Sequence, residues 1–429
     1  MSELPIDDDW LRLDNAAKIY PPAHNDATPA VFRVSVTLQE PVRIAELQEA
    51  LDRLLDRVPY YQVHLKRGFF WYYLQRHDRY PLIRPLPRHP LTQILLNRTD
   101  EQLLHVYARE GTVAADFSHV LTDGYGAMRF LGSLIVEYLR LTGADVSPGS
   151  LLMDPESPVP HEEYQDAFQR LYRPGVPKAP NLEPAYHVGG VPFVRGYRTV
   201  TGRLPVADAL AAAKRYGATL TEYIVSLYMD SIKSVYEHQA EGLFKPRSKI
   251  IRIEVPVNMR RLYPSQTMRN FSLFVSPEID LGLGDWQLES IVRRVHHEMN
   301  IQIEPNELAR QIARNVGGER NRFVRVVPRV LKDAYLGYLH RTIGDRSYSG
   351  VVSNLGRFIL PDEARPYVKS VGFVLGPNTS YKTCCAVASY ADELYVTFGS
   401  VIQNRAVERG FFRALVRDGL NVIVTEQHS

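Results

Sequence analysis

The chain has little cysteine, no long apolar run and almost no net charge. Cys384 and Cys385 are the only cysteines in 429 residues, and they are adjacent. Neighbouring cysteines rarely bridge each other, so no disulfide framework is expected and a reducing, cytoplasmic setting is the simplest reading. No stretch approaches the ~20 apolar residues that a spanning helix requires, which argues against integral membrane association. The opening "MSELPIDDDWLRL" is acidic and lacks the charged-then-apolar profile of a secretory signal. A formal charge of +3 gives no ground for nucleic-acid binding.

Two ligand-binding patterns are also incomplete. "HHEMN" (His296–Asn300) lacks the second histidine of HExxH because Ile301 stands in its place, so no metal site is expected. "DGYGAMRF" (Asp123–Phe130) has Gly124 and Gly126 but Arg129 at the third glycine position of a dinucleotide fingerprint, with no suitably placed ribose acid.

What is present is a globular composition, 45% hydrophobic and 23% charged. The length suggests two or three domains. "VFRVSVTL" (Val31–Leu38) alternates as a strand does, and Arg43–Val58 is an amphipathic helix with Ile44, Leu47, Leu51, Leu54, Leu55 and Val58 on one side. Strands are expected at Tyr60–Leu65 and Phe69–Leu74. A hairpin is expected from Gln102–Ala108 and Thr112–His119, with Gly111 in the tight position. A helix follows from about Gly124 to Leu141 and stops at Gly143. Residues 144–196 hold nine prolines around one helical window, "HEEYQDAFQRLY", and read as a linker. Beyond it come a strand near "YRTVTGRL", the helix "VADALAAAKRYG" and a longer one in "LTEYIVSLYMDSIKSVYEH" capped by Thr219 or Thr221. Lys249–Met259 and "NFSLFVSPEI" read as one strand each. Three helical windows fill Asp285–Arg341, then four strands and a final helix. The fold class is α/β, with two lobes of mixed sheets and flanking helices: 1–180, and 181–429 with a crossing segment near 350–380.

"ADFSHVLTDGYGAMRF" (Ala115–Phe130) carries the chemistry-bearing residues. Along an extended Thr112–His119, Val113, Ala115, Phe117 and His119 share one face, while Asp116 and Ser118 share the other. That parity separates Ser118 from His119. It predicts a desolvated imidazole whose pKa is lowered and which stays neutral, as a general base must. Asp123 reads either as an N-cap for the next helix or as a carboxylate tied to an arginine. Gly124 suits a position where a Cβ would clash or φ must be positive.

"SHVLTDGYG" resembles the HxxxDG signature of the chloramphenicol acetyltransferase-like superfamily. "RLDNAAKIYPP" (Arg12–Pro22), "VPVNMRRLYPSQTMRNF" (Val255–Phe271) and "VVSNLGRFILP" (Val351–Pro361) are similar to segments of its bacterial alcohol acetyltransferases and mycobacterial polyketide-associated acyltransferases, in the family's order. Condensation domains of peptide synthetases are related. The resemblance implies a tunnel at the lobe interface with His119 as general base. It implies that Asp123 pairs with an arginine of the other lobe, Arg260 first and Arg261 second, and that Gly124 lets the helix begin. Asn354 would either donate to the acyl oxygen or hold the crossing loop. Many relatives carry two histidines before xxxDG, and Ser118 replaces the first. The plant DFGWG signature has no clear counterpart.

The activity implied is O-acyl transfer from acyl-CoA or an acyl-phosphopantetheine carrier to an alcohol, with no bound cofactor, no metal and no acyl-enzyme. The alternatives are an amide-forming condensation-type enzyme with a carrier-bound donor, or a silent docking relative. Arginines 310, 314, 320, 322, 325 and 329 form a basic stretch, read as a solvated face or as a contact for CoA phosphates or an acidic carrier protein. Cys384 and Cys385 are expected in the core.

Overall fold

In the N-terminal half, alternation and amphipathicity build two sheets and two long helices. A computed structural model describes residues 10–24, 29–89, 91, 93–96, 98, 100–193, 196–240, 246–339, 344–378 and 380–427, with backbone alone at 240, 322, 323, 339 and 345. The acidic Met1–Asp9 and the Arg341 end of the third helical window lie outside them. The first elements are β1 (Trp10–Arg12), α1 (Tyr20–Ala23), β2 (Val31–Leu38), α2 (Ile44–Arg57), β3 (Val63–Arg67) and β4 (Tyr72–Arg76). Then come β5 (Arg84–Pro85), β6 (Leu104–Arg109), β7 (Thr112–Ser118), α3 (Gly124–Leu141) and α4 (Phe168–Leu171). Strands β1, β4 and β3 form a small sheet in that order.

Several boundaries differ from expectation for local reasons. Pro59–Tyr61 is a 3-10 turn, so β3 begins only at Val63, and Phe69 and Phe70 form the turn before β4. Ile44 is exposed, whereas Leu47, Leu51, Leu54 and Leu55 are buried. In the β6–β7 turn the positive φ, 52°, belongs to Glu110. Gly111 is needed for close approach instead, since a Cβ there would lie 2.7 Å from the Leu38 carbonyl oxygen. The window "HEEYQDAFQRLY" splits into a 3-10 turn at His161–Tyr164 and α4. Glu163 in that turn is buried against Arg57 at 2.9 Å and accepts from Tyr60 at 2.7 Å. The Pro-rich segment is therefore anchored to the first core.

The second half runs β8 (Arg198–Pro205), α5 (Val206–Arg215), α6 (Leu220–Ala240), β9 (Ile250–Asn258), β10 (Ser272–Val275), β11 (Glu278–Asp280), α7 (Leu288–Ile303), α8 (Pro305–Arg320), α9 (Arg322–Val326) and α10 (Arg329–Leu339). It closes with β12 (Gly350–Arg357), β13 (Val368–Leu375), β14 (Thr383–Tyr390), β15 (Glu393–Ser400), α11 (Ala406–Arg417) and β16 (Ile423–Gln427). "NFSLFVSPEI" is two strands, β10 and β11, separated by Ser276 and Pro277 and both paired with β9. Proline has no N–H to continue a ladder. The large sheet is ordered β10-β9-β12-β14-β15-β8-β16, with β11 off β9.

The five-stranded sheet, β13-β2-β7-β6-β5, is completed from far along the chain, because β13 pairs antiparallel with β2. Two main cores result. The first includes Leu51, Phe117, Leu131 and Ile135 together with Phe358, Val371 and Phe373; the second includes Tyr228, Ile253, Val396 and Phe411. β14 stands between them: Cys384 at its start joins the second core, and from Cys385 onward Cys385 and Val387 join the second while Ala386, Ala388 and Tyr390 join the first. Period-two alternation thus faces different lobes. A smaller cluster joins Phe168 of α4 to Met259, Phe271, Leu308 and Ile312.

At α6 the cap is Thr219. Its Oγ1 accepts from the Glu222 N–H at 3.3 Å, and Glu222 Oε2 accepts from the Thr219 N–H at 2.8 Å. This reciprocal box satisfies two backbone donors. Thr219→Ala should cost about 1 kcal/mol and lower the urea midpoint. An unchanged midpoint would show that the box contributes nothing.

Candidate active site

His119 follows the last residue of β7, where the chain turns toward α3. Its N–H donates to the Ala30 carbonyl at 2.9 Å, extending the β2–β7 pairing by one residue. Its carbonyl accepts from Asn270 Nδ2, also at 2.9 Å. The backbone of this residue is therefore pinned from both halves of the chain.

The imidazole lies between two rings. Tyr20 of α1 stacks on it with centroids 5.1 Å apart and planes at 16°, and Phe32 of β2 lies 4.5 Å away at 37°. Phe32 is cross-strand from Phe117, so His119 does share the apolar side of the strand. Ser118 is buried elsewhere, its Oγ accepting from the Val120 N–H at 3.2 Å. Asp116 forms a buried ion pair with Arg33, at 2.6 and 2.8 Å. Sequence parity alone did not reveal that the second face of β7 is also covered.

The half-buried ring is desolvated strongly enough to lower its pKa to about 4; the Asp123 charge and the Thr122 backbone oppose that shift. Nδ1 is buried and makes no hydrogen bond of normal geometry. The ring is thus neutral around pH 7. Burial also raises the Tyr20 pKa, reinforced by Glu254, Asp14 and Asp123, so this phenol stays protonated.

Asp123 serves both as a cap and as a strut. Oδ1 accepts from the Gly126 N–H at 3.1 Å and caps α3. Oδ2 accepts from Arg260 Nη1 at 2.8 Å, from the Phe271 N–H at 2.8 Å and from Ser272 Oγ at 3.1 Å. Arg260 uses the rest of its fork on the loop that carries it. Nε donates to the Thr267 carbonyl at 2.9 Å and Nη2 to that of Arg269 at 2.6 Å. Its guanidinium also covers Tyr125, 4.7 Å from the ring centroid. Arg261 Nη2 lies 3.5 Å from where a Cβ on Gly356 would stand, beside the crossing segment.

Two glycines open α3, and they differ. Gly124 does not have a positive φ; an added Cβ there would meet the tip of Leu355 at 2.5 Å. At Gly126 it would meet Thr122 Oγ1 at 2.2 Å and the Met268 carbonyl oxygen at 2.5 Å. A flexible leucine can move; a backbone carbonyl held by Thr122 Oγ1 at 2.5 Å and Tyr61 at 2.9 Å has less freedom.

Asn354 donates to Thr221 Oγ1 at 2.9 Å and accepts from the Gly356 N–H at 2.8 Å. Both contacts fasten the crossing segment. Asp14 accepts from Asn270 at 3.1 Å and lies 3.4 Å from Arg269 Nε. The segments Arg12–Pro22 and Val255–Phe271 therefore meet at His119, and Leu355 of Val351–Pro361 reaches Gly124 five residues further on. Tyr20, Phe32, Asn270 and Ser272 received no role from sequence; three of them lie in or beside quoted segments, but nothing local signals a ring stack.

The remaining candidates stand apart. His296 Nδ1 lies 3.2 Å from Glu222, and among the described residues no group of three or more His, Cys, Asp or Glu is placed to hold a metal. Cys384 and Cys385 are buried, with Cys384 Sγ 3.1 Å from the Tyr197 hydroxyl. The basic stretch is partly paired internally. Arg310 binds Glu307 at 2.9 Å, Arg320 covers Tyr172 at 4.9 Å, and Arg329 binds Asp333 at 2.6 Å. Arg314 and Arg325 are exposed, and the Arg322 side chain lies outside the described residues.

Arg260→Lys should not replace the wild type, because one ammonium cannot serve Asp123, Thr267 and Arg269 together. Lysine keeps a cation for Asp123 but leaves the Thr267 and Arg269 carbonyls without their donors, so the melting temperature should fall by the equivalent of about 1–3 kcal/mol. Gly126→Ala should destabilise by about 1–3 kcal/mol through the same measurement, and more than Gly124→Ala does. Equal effects would refute the distinction drawn between the two glycines.

No protein-family model and no curated protein matches the chain. Solved structures do. Polyketide synthase associated protein 5 from Mycobacterium tuberculosis aligns at TM-score 0.61 and 14% identity, over 94% of this chain and 96% of its own. Trichothecene 15-O-acetyltransferase from Fusarium sporotrichioides aligns at 0.58 and 13%, over 95% and 93%. The starter condensation domain of rhizomide synthetase aligns at 0.53 and 12%, over 95% of each chain. With both lobes covered in each comparison, the chain has the two-lobed chloramphenicol acetyltransferase-like fold that these acetyltransferase and condensation-domain structures share.

Proposed function

We propose that this protein is an acyltransferase that moves an acyl group from a CoA or carrier-protein thioester to an alcohol, with His119 as general base. The observation that carries the reading is a neutral imidazole, held by its backbone from both halves of the chain and clamped between two rings. Asp123, the carboxylate that acts on the ring electrostatically among the described residues, is tied to Arg260. Nε2 would take the hydroxyl proton as the acceptor oxygen attacks the thioester carbonyl. The C–S bond then breaks as the carbonyl re-forms, and the proton passes to the leaving thiolate. No bond to the enzyme is needed. Asn354 is assigned to holding the crossing loop, since its observed contacts are to Thr221 and Gly356. The likeness to a starter condensation domain supports a second reading, amide formation from a carrier-bound donor.

Thiol release in a screen of acyl donors and acceptors tests the proposal. His119→Ala should lose roughly 10²–10⁴ of the rate while keeping its fold. Full activity in that variant would sink the mechanism and leave a docking role. Turnover only with a loaded carrier and an amine would favour the second reading.

The pH profile supplies an independent check. A base with its pKa lowered to about 4 stays competent down through the mildly acidic range, so kcat/KM should fall only near pH 4. A limb near the ordinary histidine value of about 6.5 would contradict desolvation of the ring. The sign for stability follows. Between those two pKa values the unfolded chain binds a proton that the folded one refuses. The wild type should therefore lose stability across that window as pH falls, and His119→Ala should lack that component.

A further inference from the structure

α10 carries an apolar stripe on its solvent side. Leu331, Tyr335 and Tyr338 recur at i, i+4 and i+7, yet they are 61%, 62% and 63% exposed, while Lys332 between them is buried. A helix on a folded surface ordinarily does the reverse. The β3–β4 turn beside it is similar, with Phe69 at 73% and Phe70 at 42% exposure. Turn and helix form one surface. The Arg329 N–H donates to the Phe69 carbonyl at 2.9 Å, Arg329 Nε to that of Gly68 at 3.0 Å, and Lys332 Nζ to that of Phe70 at 3.1 Å. Contiguous exposed apolar surface of this kind marks an interaction site.

Charge favours an anionic occupant. From Arg320 to Leu339 the sequence holds Arg320, Arg322, Arg325, Arg329 and Lys332 against Asp333 alone. Asp333 is already engaged by Arg329 at 2.6 Å and Tyr72 at 2.8 Å. Arg325 and, beside the turn, Arg67 are exposed. Aromatic and aliphatic side chains projecting from a turn and a helix, with Arg67 and Arg325 exposed on the same elements or next to them in sequence, match the pattern of an interfacial element on an anionic membrane. No helix among the described residues is long and apolar enough to cross one.

We propose that the β3–β4 turn and α10 form a peripheral docking surface for an anionic lipid bilayer. A carrier protein or second copy would be recognised through shape-matched contacts, whereas side chains standing out from a hairpin tip suit a deformable hydrocarbon interface. α10 also packs on α1, whose Tyr20 stacks on His119, so docking sets the candidate site one short helix from the bilayer.

Co-sedimentation of the purified chain with phosphatidylcholine vesicles, with and without phosphatidylglycerol, tests this without any catalytic assay. The wild type should sediment with the anionic vesicles, less so as salt rises. The combined Phe69→Ser, Leu331→Ser and Tyr335→Ser variant should lose about tenfold or more of that partitioning. Arg67→Gln and Arg325→Gln should each lose roughly fivefold at low salt. Thermal melts establish that the variants fold; if the triple variant does not, the arginine pair carries the test. The proposal is overturned if neither vesicle binds the protein, or if folded variants bind as well as the wild type. It is equally overturned if these residues prove to govern self-association or carrier-protein binding instead.

Discussion

Asp123 divides its two oxygens between the lobes, and the arrangement around His119 depends on that division. One oxygen starts α3 by capping the Gly126 amide; the other accepts three donors from the loop and strand that follow β9. Charge-assisted bonds of this kind are short and directional. The turn holding His119 lies between these commitments, so the helix start and the lobe contact fix one another. Arg260 reciprocates by bonding the carbonyls of its own loop, which makes the guanidinium a rigid post.

The same arrangement separates two kinds of environment within a few residues. Ions are paired inside a polar cage made by Arg260, Asn258, Ser272 and backbone groups. The imidazole lies instead in an apolar slot between Tyr20 and Phe32. Desolvation outweighs the opposing charge of Asp123, a carboxylate turned toward Arg260. Asp14, buried and linked to Asn270, adds a further polar contact behind the His119 carbonyl.

Elements with strong periodicity were legible in the sequence: β2, α3 and α6 fall where alternation and capping place them. β16 was not, because every residue of it is exposed and no alternation marks it. β11 is not separable from β10 by pattern, since Ser276 and Pro277 interrupt an otherwise continuous run that pairs with β9 on both sides. At the site, strand parity located His119 on the apolar side and removed Ser118. Local reading left Asp123 as either cap or strut, and both geometries exist at once. The contact between Asp123 and Arg260 spans 137 residues, and only the family resemblance brought them together. Ring stacking on His119 leaves no local trace, because Tyr20 and Phe32 sit in segments whose own patterns explain them.

β13 has a consequence for how the chain is made. The first sheet is ordered β13-β2-β7-β6-β5, so its edge beside β2 is closed by residues that emerge last but for β14, β15, α11 and β16. During synthesis about 250 residues separate the end of β7 at Ser118 from the start of β13 at Val368, and over that interval β2 is a bare edge, Phe32 included. An unpaired edge is a template for wrong partners, and non-local pairing is slow to form. Vectorial translation therefore leaves the slot around His119 unfinished until the C-terminal lobe has appeared. A nascent fragment could fold its helices but would present an open strand to chaperones or to its neighbours.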